Sequence, residues 1–200
     1  MNTHIPQSYQ TRIELKELTA VAKQIISPAR SAPIIQVVQD SLVGSYILSK
    51  QAVAATSDDI YRLLLNTVQL RSDFNLVEAR KKKQWTGLEL FSAILPNVNL
   101  QKNGVVIRNG DVVSGKLTKK ILGGESGGLI QAVFEQLGPR VCRDFLDNVQ
   151  RLITAWLEEF GFSIGFGDAM PSRNAREQIL VEQGEMRKKI EQLIMKAQQG

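Results

Sequence analysis

The chain has 200 residues, enough to bury a core in one or two domains, and its 43% hydrophobic and 22% charged content is that of an ordinary globular protein. Twenty-five Lys and Arg against 20 Asp and Glu give a net charge of +5 and a pI near 9.4, a balance that favours an anionic partner only weakly. One cysteine, Cys142, excludes an internal disulfide and a cysteine-built zinc site, and one histidine, His4, leaves little room for imidazole chemistry. No apolar run approaches the roughly 18 residues of a membrane span, and the N-terminus lacks a signal-peptide pattern, so a soluble chain of a reducing compartment is expected.

In chain order, residues 1–7 are polar and extended. Ser8 is placed to cap a helix whose apolar stripe is Leu15, Leu18, Ala22 and Ile25, ended by Ser27-Pro28. Pro33 leads into the apolar run Ile34–Val38, and Ser41–Leu48 reads as a buried helix. Ser57-Asp58-Asp59 predicts the start of a third helix, Ile60 to about Leu70. Residues 72–84 carry the run Arg80-Lys81-Lys82-Lys83 without periodicity and read as a solvated loop. Trp85-Thr86-Gly87 opens a short helix, Leu88 to Ile94, closed by Pro96.

The chain is organised around the stretch 104–140. Val105-Val106-Ile107 and Val112-Val113 flank Asn109-Gly110, a strong hairpin signal. Gly115, Lys116, Lys119 and Lys120 follow, then the run Gly123-Gly124-Glu125-Ser126-Gly127-Gly128 and a helix, Leu129 to Leu137, stopped by Gly138-Pro139. From Pro139, Val141, Phe145, Val149, Leu152, Trp156 and Phe160 step by three or four residues, and Gly161 ends that helix. Phe162–Asp168 reads as an extended, glycine-loosened segment. Ser172 then caps a last helix to Gln198 with Ile179, Met186, Ile190, Leu193 and Ala197 on one stripe and Glu185, Lys188 and Lys189 on its outer face. The expected fold class is α+β: helices packed around a small antiparallel sheet or hairpin, with a long C-terminal helix.

Few residues carry chemistry by themselves. Gly110–Lys116 fits the first seven positions of a phosphate-binding loop, but Leu117 stands where Ser or Thr must hold magnesium and no helix begins there. Gly123–Gly128 reads either as an anion-binding nest or as a flexible turn. Lys119-Lys120 reads either as solvated surface or as a contact for an anion. Asp168 is either catalytic or a turn cap, Trp85 and Trp156 are core, and His4 has no partners for a metal or base role.

Taken together, the stretches from Met1 to Ser8, Thr11–Leu15, Ile25–Pro28, Gln39–Leu42, Trp85–Gly87, Leu90–Ser92, Gly115–Gly128 and Gly161–Asp168 resemble the largest subunit of multisubunit DNA-directed RNA polymerases, in that family's order. Val38-Gln39-Asp40 is closer to the eukaryotic and large-DNA-virus form than to the archaeal one. The resemblance implies a pore-like domain over residues 1–168 and the start of a funnel helical region over 169–200. It implies a share of the wall of the secondary channel, through which nucleoside triphosphates reach the active centre. Lys119 and Lys120 match a lysine pair near the incoming nucleotide in its entry site.

The same resemblance implies other polymerase subunits, DNA template and RNA as partners in the assembled enzyme, and no membrane. The location it implies is the nucleus in a eukaryote, or host cytoplasm or virion for a large DNA virus. Magnesium belongs to the complete enzyme and is not expected on this chain, which starts after the family's Asn-Ala-Asp-Phe-Asp-Gly-Asp loop and ends before the bridge helix and trigger loop. No catalytic residue is therefore expected here, and the isolated chain is expected to be inactive, as a gene fragment or a split subunit. Residues 51–84 depart from the family pattern. The alternative is a free-standing basic module that binds nucleic acid or regulates the polymerase without catalysis.

Overall fold

The computed structural model describes residues 2–67 and 70–199, with the side chains of Leu76, Arg80 and Gln199 excepted. It divides into two compact units, Met1–Phe160 and Gly161–Gly200. In the first, α1 (Tyr9–Glu17) starts as expected, the Ser8 hydroxyl accepting the Thr11 N–H at 3.1 Å. It does not continue to Ser27. The Thr19 hydroxyl donates to the Leu15 carbonyl, the Lys23 ammonium to that of Glu17 and the Gln24 amide to that of Leu18. These side chains take carbonyls that a longer helix would have bonded, and a 3₁₀ turn, Val21–Gln24, follows. Leu15 and Leu18 are consequently exposed, and of the expected stripe only Ile25 is buried.

Strands β1 (Ile26–Ser27) and β2 (Ala32–Pro33) pair antiparallel ahead of α2 (Gln39–Leu48). The inward face of α2 is small: Ser41, Gly44, Ser45 and Leu48. A Cβ on Gly44 would lie 2.4 Å from Ile153 Cγ2, so glycine is what lets α2 approach the long helix of this unit. Strand β3 (Ala55–Thr56) leads into α3 (Ser57–Leu65), which is shorter than predicted. Its N-terminus is fixed by Asp59, whose carboxylate accepts from the Thr56 hydroxyl at 2.6 Å and the Thr56 N–H at 3.3 Å. Residues 68–69 within the expected third helix lie outside the described residues.

The region read as a loop holds a helix, α4 (Leu76–Lys81), with the Asn75 side chain accepting from Val77 and Glu78 N–H groups. Six residues are too few to show a period, and the Asn cap was the available signal. Strand β4 (Gln84–Trp85) pairs with β3, Ala55 opposite Trp85. Helix α5 (Gly87–Ser92) opens on the expected residues, with Thr86 and Glu89 forming a capping box.

The central sheet has three antiparallel strands, β5 (Leu100–Lys102), β6 (Val105–Arg108) and β7 (Asp111–Ser114). Asn109 and Gly110 both take positive φ, 50° and 82°, as the hairpin reading requires. Asn103 and Gly104 do the same at 50° and 78°, turning β5 into β6, a second Asn-Gly hairpin that the sequence reading left out. Then come α6 (Lys119–Leu122), α7 (Leu129–Leu137) and α8 (Pro139–Phe160), the break between the last two being Gly138 at φ 89°. Helix α8 buries Cys142, Phe145, Asn148, Val149, Leu152, Ile153 and Trp156, while Val141 and Phe160 stay at the edge. Phe91 meets Phe145 edge-on at 6.2 Å, and the Trp156 indole N–H donates to the Ala54 carbonyl at 3.0 Å.

In the second unit, a 3₁₀ turn, Phe166–Ala169, precedes α9 (Arg173–Gln199), and Ser172 caps that helix as expected, accepting the Ala175 N–H. Ile179, Met186, Ile190 and Leu193 are each about half exposed or more. The architecture is α+β with a long C-terminal helix.

Trp156 joins α8 to the backbone just before β3, at Ala54, and lies 2% exposed. Trp156→Ala is expected to lower unfolding free energy by roughly 3–5 kcal/mol in urea denaturation of the full chain. A loss under about 1 kcal/mol would mean that this face of α8 does not carry the core.

The two capping carboxylates make the fold acid-sensitive. The Thr56 hydroxyl and N–H, with Arg62, hold Asp59 below the usual range. Burial pushes Glu89 up, but Lys82 and Thr86 outweigh it and leave it lowered as well. Both lowered values favour the folded state above the unfolded pKa of about 4, and that stability is lost as pH falls through the folded values. Urea midpoints should therefore fall between pH 6 and pH 3, and less so in Asp59→Asn/Glu89→Gln. An equal fall in the double variant would put the acid sensitivity elsewhere.

Candidate functional site

Helix α6 is a single turn and is held by its neighbours rather than by its own length. Leu117, Ile121 and Leu122 are fully buried, which turns Lys119 and Lys120 outward. The Leu117 N–H donates to the Ser49 hydroxyl at 3.2 Å, and the Leu122 carbonyl accepts the Val37 N–H at 3.2 Å. Both ends of the turn are therefore tied to α2 and the segment before it. The lysine backbones have a fixed place while their ammonium groups remain free to move in solvent.

The glycine run behind α6 is a packed corner. A Cβ on Gly123 would lie 2.3 Å from the Lys119 carbonyl, one on Gly124 2.8 Å from that of Pro33, and one on Gly128 2.9 Å from that of Ile121. The amides of its four glycines are bonded within the chain. Gly123 donates to Lys119, Gly124 to the Gln36 side chain, Gly127 to the Gln131 side chain and Gly128 to Glu125. A nest needs those N–H groups aimed at an anion, so the run serves α6 by letting chain segments meet closely.

Lys119 and Lys120 have no carboxylate within 4.0 Å among the described residues, unlike Lys23 with Glu17, Lys82 with Glu89 or Arg62 with Asp59 and Glu159. Their charges are thus available to an outside anion. Lys116, exposed three residues before Lys119, likewise has no ion-pair partner among the described residues. Other candidates fall away. Gly110–Lys116 is the second hairpin strand and its approach, and Leu117 is buried core. Asp168 accepts the Gly165 N–H at 2.8 Å, a turn cap. His4 is exposed, and Trp85 and Trp156 are core. The Arg80 side chain lies outside the described residues, and of its neighbours Lys82 is engaged with Glu89 and the Trp85 ring. Burial pushes the Cys142 thiol up to about 12, which makes it a poor nucleophile.

The sequence reading missed a clamp on the sheet. Arg71, 13% exposed in its side chain, meets Asp111 and Asp73 at 2.6 Å each and fixes the Asn109–Gly110 turn against the chain after α3. Burial opposes its charge, but the two carboxylates outweigh that and raise its pKa. A cleft of about 230 Å³ beside it includes Leu70, Ile94, Pro96, Val141 and Asn148, with Arg71 as its cation. That charge is already neutralised, so the cleft does not suit an anion. Among the described residues no three His, Cys, Asp or Glu side chains gather as metal ligands, and no helix is long and apolar enough to cross a membrane.

Residues 24–169 match the family model described as RNA polymerase Rpb1, domain 3. Two relatives from Trypanosoma brucei brucei, DNA-directed RNA polymerase II subunits RPB1-A and RPB1-B, are each 34% identical to the chain over 197 residues. The match covers 90% of this chain and 11% of the length of each relative.

The placement of α6 depends on the Gly123 corner. Gly123→Ala is expected to cost about 1–3 kcal/mol, the usual penalty for overpacking, because the new methyl meets a backbone carbonyl that cannot rotate away. Urea denaturation checks this, and a cost below about 0.5 kcal/mol would show the corner to be open.

Proposed function

The chain belongs to the RNA polymerase Rpb1 family through domain 3, and from that membership we propose that it forms part of the wall of the channel that admits nucleoside triphosphates during DNA-templated transcription. In this reading residues 1–168 are the pore-like domain and 169–200 begin the funnel helical region. Its partners are the other polymerase subunits, with DNA template and RNA in the assembled enzyme, and in a eukaryote its place is the nucleus. Nucleotidyl transfer is the work of the whole enzyme. Among the described residues no three His, Cys, Asp or Glu side chains gather to hold the magnesium of the whole enzyme; in this reading no step of the reaction falls to this chain, which alone is expected to be inactive.

The observation that carries the reading is the pair Lys119 and Lys120: exposed, without carboxylate partners among the described residues, on a turn pinned at both ends. A triphosphate passing along a channel needs attraction strong enough to enrich it and weak enough to release it. A lysine ammonium is a mobile point charge that lacks the two-pronged grip of arginine on phosphate. At about 4 Å and an effective dielectric near 20, one lysine–phosphate charge pair has about 4 kcal/mol of Coulomb attraction. Desolvation and salt screening leave a fraction of this, about 1 kcal/mol per exposed lysine.

Replacing both lysines with alanine in the assembled polymerase should raise the KM for nucleotides severalfold and change kcat much less, because neither side chain acts on the reacting phosphorus. The effect should shrink as ionic strength rises. A wild-type KM for the double variant at low salt would show these two lysines to be ordinary surface residues.

A further inference from the structure

Close to α6 the structure brings a third and a fourth lysine. The Ser49 hydroxyl donates to the Tyr46 carbonyl at 2.7 Å and accepts the Leu117 N–H at 3.2 Å, so one side chain ties the end of α2 to the segment that carries Lys116, Lys119 and Lys120. Lys50, the residue after Ser49, lies with its ammonium 4.0 Å from the centroid of the Tyr46 ring. Lys50 bonding to the phenol and, more weakly, the charge of Lys116 hold the Tyr46 hydroxyl below its ordinary value, so both lysines act on this ring. Neither has a carboxylate within 4.0 Å among the described residues, and both are exposed.

We propose that Lys50 and Lys116, which act on Tyr46, join Lys119 and Lys120 in one cationic surface where the end of α2 meets the α6 turn, and that this surface holds a polyphosphate chain, an inference that rests on the reading of Lys119 and Lys120 given above. Four ammonium groups spread over the end of α2 and α6 match an extended ligand with several charges better than a single phosphate. All four are lysines, so no guanidinium is present to fix one phosphate in a two-pronged grip. A single-stranded nucleic acid fits less well. Such a strand is held on successive aromatic platforms, whereas the Tyr46 ring here is already faced by Lys50. The cation–ring contact also restrains Lys50, so its charge stays at Tyr46 instead of sweeping through solvent.

The test titrates the full chain at low ionic strength with inorganic tripolyphosphate and, separately, with ATP, using isothermal calorimetry. Wild type is compared with Lys50→Gln/Lys116→Gln and with Lys119→Gln/Lys120→Gln, and equal urea midpoints establish that the fold is kept. Each pair is expected to weaken tripolyphosphate binding about tenfold, the scale of two partly exposed charge pairs. Equal affinity for ATP and tripolyphosphate would mean that the phosphate chain alone is read, and tighter ATP that the nucleoside adds contacts; both support the proposal. If Lys50→Gln/Lys116→Gln binds as wild type while the other pair weakens, the inference is overturned and the entry-site reading stands. If only Lys50→Gln/Lys116→Gln weakens, the entry-site reading fails and the phosphate contact of Lys50 and Lys116 remains. No change in either pair, no binding by the wild type, or tighter binding of a single-stranded oligonucleotide than of tripolyphosphate would overturn the proposal.

Discussion

The buried face of α8 is what the first unit is assembled on. A helix of 22 residues gains little from intrinsic propensity and stands because one side of it is covered, here from Cys142 to Trp156. Helix α2 reaches it only because Gly44 has no side chain to meet Ile153. Phe91 of α5 docks edge-on against Phe145, and α3 connects to its far end through the Arg62–Glu159 ion pair. Of these contacts the apolar ones carry the energy, since each large side chain removed from water contributes about 1.5–3 kcal/mol, against at most about 1 kcal/mol for an exposed ion pair.

The position of the lysines is inherited from that frame step by step. Helix α7 rests on α8, with Cys142 donating to the Ile130 carbonyl across the interface. Gly128, just before α7, sits against Ile121, and Leu117, Ile121 and Leu122 pin α6 from beneath. A one-turn helix has no stability of its own, because nucleation costs more than its few hydrogen bonds return. The turn that presents Lys119 and Lys120 therefore reports the packing of the core behind it. Disturbing the corner at Gly123 would move charges without touching a lysine.

Much of this fold could be read from the chain because local chemistry specified it. The three- and four-residue steps of Phe145, Val149, Leu152 and Trp156 announced α8, Trp85-Thr86-Gly87 announced the start of α5, and Asn109-Gly110 announced the β6–β7 hairpin. What was missed depends on partners far away in sequence. The two-residue strands exist only through pairings such as Ala55 with Trp85, and α1 stops where Lys23 and Gln24 fold back on its carbonyls. Asn103-Gly104 was a legible turn left unread, because Leu100–Lys102 before it shows no apolar alternation. The residues alone left the lysine pair as solvated surface or an anion contact, and the family resemblance favoured the second; the nearness of Lys50, 66 positions from Lys116, emerges only when Ser49 meets Leu117.

A fixed backbone carrying mobile charges is a particular compromise. Had Lys119 and Lys120 been tied by ion pairs, as Lys82 is to Glu89, an arriving phosphate would first have to displace a carboxylate and would lose most of the attraction. Had they stood on a loose loop, each contact would also have to overcome the entropy of ordering that loop, about 1–2 kcal/mol for each residue fixed. The buried Leu117, Ile121 and Leu122 meet the ordering cost of the turn during folding, so that only side-chain freedom is lost when a ligand arrives. What is left is an attraction of about 1 kcal/mol for each charge, so that one lysine only raises the local concentration of an anion and binding of a polyphosphate needs several together.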